Sequence, residues 1–293
     1  MGNSAVAFRL RPTPVTLYVS HALRQSRPTP VTPYASQVPK DKDFPKSEIF
    51  SRETTSPTNN GIPSLSPIKM PPVTAFQELV RGTLTQQIAA RGHAPTNIEL
   101  ASALHCSRED IEVALLALHS SHFLLLHPHK VEPWVVHPFA LYPASCWVQI
   151  GDRGYWATCL YCAFGIAAAL KADADIFTRF GGEGEQCTVR VRNQDIVEKD
   201  LVFHLSTPIR QWWDNVIHSC ASFQPFHCEE DVDSWCRRHS STKGAVVPLT
   251  KMWHFASAWY GAYVSEPWKK RSGAEIQNVL ESNDLVGPFW SID

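Results

Sequence analysis

The stretch Gly154–Leu170, GYWATCLYCAFGIAAAL, decides how this chain is read, because it sets Cys159 and Cys162 three residues apart at the head of a run of small apolar residues. Side chains at i and i+3 share one face of a helix, and the unpaired N–H groups at a helix N-terminus favour a thiolate over a thiol. The run is read as a buried helix with Cys159 the better placed thiol. It falls short of the roughly 18 apolar residues of a membrane-spanning helix, and Lys171, Asp173 and Asp175 follow it directly. Three roles are open to the two thiols. A redox pair of the thioredoxin type wants a loop after a strand in a βαβ unit, which the apolar helix around Leu160 and Tyr161 does not resemble. A structural zinc site would draw further ligands from HSCASFQPFHC, where His218, Cys220, His227 and Cys228 crowd together. Packing is the plainest reading, free cysteine being among the most buried residue types.

Outward from this helix, CWVQIG, CTVRVRN and DLVFHLS read as short strands, and EEDVDSWCRRHS and TKMWHFASAWYGAYV as amphipathic helices with Trp on the inner face. Residues 133–265 are thus expected to form a mixed α/β domain within an α+β chain. Upstream, TAFQELVRGTLTQQIAARG puts Phe76, Leu79, Val80, Leu84 and Ile88 on one helical face and stops at Gly92. Thr96 with Glu99 and Ser107 with Asp110 read as helix caps on either side of a tight turn. With the β-prone residues that follow, they predict a winged-helix-like subdomain over 74–132. Its second helix carries one base, Arg108, among three acids, so it serves as scaffold and not as a reader of DNA phosphates. A DNA-binding regulator that senses thiol-reactive ligands would need a basic helix here. Residues 266–293 are expected as a weakly packed tail.

Residues 1–73 are rich in Pro, Ser and Thr, and RPTPVTLYVS at 11–20 is echoed by RPTPVTPYAS at 27–36. Repeated X-Pro steps predict a disordered tail. No acid precedes Asp41, so mitochondrial targeting stands as the alternative to a plain tail. Val6 occupies the place where a myristoylation signal needs Ser or Thr, which leaves Gly2 unmodified. A formal net charge of -1 over 293 residues gives no basic field for nucleic acid or a membrane surface, and neither is expected as a partner. The eight cysteines are spread through a chain too large to need staples, which fits free thiols in a cytoplasmic setting.

From GHAPTNIELASALHCSREDIEVALLAL through HPFALYP and VQIGDRGYWATCLYCAFGIAAAL to CASFQPFHCEEDVDSWCRRHSSTKGAVVPL, the chain resembles the alkylmercury (organomercurial) lyase family. The likeness runs from about Thr74 to Tyr263. It implies a winged-helix-like part joined to a mixed α/β part that cleaves carbon–mercury bonds. In the family a Cys-X-X-Asp pair and a distant second cysteine carry the chemistry. Carried over by position, these are Cys159 and Cys220, with Cys162 where the family has Asp and Phe180 near the place of a further, structural cysteine.

The chemistry agrees with the resemblance, since mercury is a soft cation and a thiolate the softest ligand a protein offers. Cys159 and Cys220 would load electron density onto mercury, and Cys162 would act as third ligand or substitute acid while the carbanion-like group is protonated. Trp156 or Phe164 would screen the thiols from water. The resemblance implies detoxification with no required cofactor and Hg(II) as bound product. Its partners would be an organomercurial or other soft-metal ligand, and small thiols or a mercury-accepting protein. The alternative is a non-enzymatic Hg/Cu thiolate-binding protein that lost lyase activity with the change from Asp to Cys.

Overall fold

A computed structural model describes residues 73–292; the tail, its repeat and the targeting segment read at 1–73 lie outside the described residues except for Val73. Helix α1 (Ala75–Arg91) begins where the Thr74 hydroxyl accepts from the Gln77 N–H while the Gln77 side chain accepts from the Thr74 N–H, and it ends at Gly92 with φ 79°. The same reciprocal cap starts α2 (Asn97–Leu104) at Thr96 with Glu99, and α3 (Arg108–Ser120) at Ser107 with Asp110. Val80, Leu84 and Ile88 are fully buried, but Leu79, expected on the same face, is 53% exposed. The true apolar stripe follows the i, i+4, i+8 row and passes Leu79 by.

Eight antiparallel strands form the main sheet: β1 (Leu125–Leu126), β2 (Pro133–Val136), β3 (Phe139–Ala140), β4 (Cys146–Ile150), β5 (Arg153–Ala157), and, after α4 (Leu160–Leu170), β6 (Ala174–Arg179), β7 (Gln186–Arg192) and β8 (Asp195–Ile196). Their order is β1-β2-β3-β5-β4-β6-β7-β8. β4 and β5 are a hairpin in register from Cys146 opposite Ala157 to Ile150 opposite Arg153. Beyond the sheet come β9 (Val202–Leu205), α5 (Val216–Ala221), β10 (Gln224–Phe226), α6 (Glu229–His239), β11 (Ala245–Pro248) and α7 (Leu249–Tyr260). Strands β10, β9 and β11 make a second antiparallel sheet in that order. The result is the mixed α and β fold that the sequence predicts.

Helix α4 lies between the main sheet and α7, and every residue from Leu160 to Ala169 is buried. An apolar helix with no polar face can be stable only in such a place. No helix among the described residues is long and apolar enough to cross a membrane.

The C-terminal expectation is corrected. Residues 266–292 are not loosely packed: Ser272 and Glu275 cap α8 (Gly273–Glu281), and Trp268, Leu280, Leu285 and Trp290 are buried. Leu280, Leu285 and Trp290 supply apolar area to the same core as α7, which ties the segment down.

All eight cysteines are free. Burial pushes the Cys146 thiol up to about 12, against 9.0 for a free thiol. A thiol whose folded pKa is raised gives stability that is complete below the unfolded pKa and lost as pH rises toward the folded one. Between pH 9 and 12, Cys146 should therefore cost about 1.4 kcal/mol of stability per pH unit. Urea unfolding at pH 8, 10 and 11 checks this. Cys146→Ala should be less stable at pH 8 yet lose stability with pH less steeply, and equal slopes would refute it.

Candidate active site

The head of α4 is built from the end of β5. Cys159 is the N-cap residue in extended conformation, and its side chain makes no cap hydrogen bond, so the sulfur is left for other partners. Its carbonyl accepts from the Ala163 N–H at 2.9 Å and fixes the first turn. Cys162 stands one turn in. Cys220 arrives from α5, a six-residue helix whose start is fixed by the Asn215 side chain accepting from the His218 N–H. Thr158 sits between two of the thiols, its hydroxyl 3.3 Å from Cys162 Sγ and 3.2 Å from Cys220 Sγ.

A fourth group completes the cluster. A ring nitrogen of His137 and the sulfurs of Cys162 and Cys220 all lie within 4.8 Å of one another, and all three residues are buried. His137 stands in the turn between β2 and β3, next to a cis peptide to Pro138. Its carbonyl accepts from the Arg81 guanidinium at 2.6 Å. Arg81 is buried and donates also to the carbonyl of Phe123 at 3.1 Å and to the Thr85 hydroxyl. The rings of Trp268 and Tyr263 lie 5.2 and 5.8 Å from its guanidinium carbon. Burial lowers its pKa to about 10.

Negative charge is distributed unevenly over the three thiols. Hydrogen bonds received from Cys159 and then Cys162, with a smaller one from His137, hold Cys220 well below the usual thiol range despite its burial. Burial, then the hydrogen bonds given to Cys162 and Cys220, push Cys159 well above it. Cys162 accepts a hydrogen bond from Cys159, which lowers its pKa, but donation to Cys220 and burial outweigh this and leave it raised. Among the three, Cys220 is thus the sulfur whose surroundings most favour the thiolate. Burial, and then the charge on Cys220, raise the Tyr142 phenol too.

The surroundings are aromatic. The Trp213 ring meets His137 edge-on at 5.2 Å and is itself stacked on His122 at 5.6 Å. Tyr161 stacks on Phe255 and touches Trp212 and Tyr260. Trp156 and Phe164, expected as the screen, have their rings against Trp147 and Trp253, and Trp213 is the ring that meets the cluster. Gly165 lets the His137 turn approach α4: a Cβ there would lie 2.9 Å from Pro138 Cβ and collide with the Tyr260 ring. Gly165→Ala is thus expected to cost about 1–3 kcal/mol by overpacking. Thermal unfolding of purified protein checks this, and an unchanged midpoint would contradict it.

The structure therefore brings Cys159, Cys162 and Cys220 together. The zinc set read around Cys228 does not form. His227 pairs with Glu185 at 3.2 Å and lies on Phe180, Cys228 heads α6 beside Glu230, and His218 is exposed. His137 and Thr158 were missed as site residues in the sequence, although Thr158 directly precedes Cys159 and His137 opens the HPFALYP motif of the resemblance.

The alkylmercury lyase family model matches residues 139–261, which hold all three thiols and begin just after His137. Among solved structures, the mercury-bound form of MerB2 matches with a TM-score of 0.55 and 17% identity, covering 66% of this chain and 93% of that one. At that identity the likeness is one of fold. No curated protein sequence matches the chain.

Proposed function

Because residues 139–261 carry the alkylmercury lyase domain, we propose that this protein cleaves carbon–mercury bonds by protonolysis on its cysteine cluster. The observation that carries the reading is the meeting of buried thiols from distant segments: the Thr158 hydroxyl lies 3.3 Å from Cys162 Sγ and 3.2 Å from Cys220 Sγ, with Cys159 at the head of the same helix as Cys162. In the first step the Cys220 thiolate gives a lone pair to the mercury of R–Hg–X, and X leaves as an anion. Cys159 then binds mercury as its S–H bond breaks. The electron pair of the carbon–mercury bond takes that proton, directly or through Cys162, and R–H departs. Mercury stays as Hg(II) on two thiolates, and small thiols in solution exchange it away. Buried aromatic walls keep water from the sulfurs during these steps. On this reading residues 133–265 are the catalytic part, and α1–α3 with β1 are a winged-helix-like scaffold.

The test uses purified full-length protein with phenylmercury acetate and excess small thiol. Benzene should appear in amounts exceeding the protein, with inorganic mercury recovered in the thiol fraction. Retention of phenylmercury on the protein without benzene would overturn the proposal.

A further inference from the structure

We propose that His137, Cys162 and Cys220, closed by Cys159, form a zinc(II) site that is filled when no organomercurial is present. Three observations carry this. The nitrogen and two sulfurs already lie within 4.8 Å of one another, whereas tetrahedral zinc with Zn–S near 2.3 Å sets its ligands about 3.8 Å apart, so sub-ångström to 1 Å shifts close the set. His137 is 8% exposed and its Nδ1 is buried without a hydrogen-bond partner, a cost that a ligand would relieve. The Thr158 hydroxyl stands at hydrogen-bonding distance from two of the sulfurs, the position of the outer donors that orient zinc thiolates.

The donor set selects the ion. Among the described residues no carboxylate joins the cluster, which excludes the oxygen-seeking cations Mg(II) and Ca(II). Three sulfurs with one imidazole are a zinc set, whereas Cu(I) is satisfied by thiolates alone and would leave the imidazole idle. Zinc would tie the β2–β3 turn, the head of α4 and α5 together. It would also hold the cysteines as thiolates until mercury, the softer ion, displaces it. The inference shares its cysteines with the proposed lyase but does not depend on turnover.

The test is a metal titration of reduced, chelator-stripped full-length protein with no mercury present, so that a failed benzene assay leaves its result standing. Co(II) should bind at one equivalent with tetrahedral d–d bands and thiolate charge-transfer absorption, and Zn(II) should displace it stoichiometrically. His137→Ala should weaken zinc binding on the order of 100-fold, the loss of one of four ligands. His137→Cys should restore it with stronger charge-transfer absorption, and this variant decides the matter if His137→Ala folds poorly. A six-coordinate cobalt spectrum, equal zinc affinity in wild type and His137→Ala, or Cu(I) binding without zinc binding would each overturn the site.

Discussion

Cys220→Ala should lower organomercurial turnover by about 1,000-fold or more, and Cys159→Ala should do the same. The reasons differ. Loss of Cys220 removes the sulfur that its neighbours' hydrogen bonds hold below the usual thiol range, and leaves Cys159, which burial holds above it. Loss of Cys159 leaves the anion but removes its second partner on mercury and the proton meant for carbon. Because the two act as a unit, the double variant should be about as slow as either single one. Cys106→Ala, Cys146→Ala and Cys236→Ala should keep turnover within about threefold, since removing a packing residue acts on stability. Benzene release at matched folded fraction measures all six. A Cys220→Ala protein within tenfold of wild type would show that the anion is not where the hydrogen bonds put it.

Cys162→Asp should have the opposite sign and raise turnover by about tenfold or more. A carboxyl is a stronger acid than a thiol by more than four pKa units, so proton delivery to carbon should become easier if it limits the rate. Thr158 and His137 stand where they can donate to the new carboxyl, and burial is the opposing influence. Release of Hg(II) to small thiols should also quicken, because a hard oxygen replaces a third soft sulfur. Single-turnover benzene formation and mercury transfer, timed separately, distinguish the two gains. If the variant forms benzene more slowly than wild type, Cys162 contributes as a thiol in its own right, and its reading as a substitute acid fails.

What the sequence showed and what it hid divide by range. Caps are local, so Thr74, Thr96 and Ser107 could be read from the Glu, Gln or Asp three places on. The burial of α4 followed from a run with no polar face. Cys220 is another matter: nothing within its own segment sets it apart from Cys228, and only the family likeness singled it out before the fold brought it to Thr158 and Cys162. His137 opens the HPFALYP motif of that likeness, but nothing in the motif marks its ring as part of the site. It lies outside the stretch that matches the family, and its meaning depends on Arg81, a residue that looks like an ordinary surface arginine until it is found buried. The C-terminal error was avoidable. Ser272 with Glu275, followed by Ile276, Val279 and Leu280, is the same cap-and-stripe signal that located α1–α3.

The reach of Arg81 also limits how this domain can be borrowed. Its guanidinium holds the His137 carbonyl from one side and is covered by Tyr263 and Trp268 on the other, and none of these four residues belongs to the stretch 139–261 that matches the family. A graft of that stretch into another protein would transplant the sulfurs without the cation that seats the histidine. In this chain the smallest portable unit runs at least from 81 to 268, and recombination inside those limits would separate the reactive cysteines from their support.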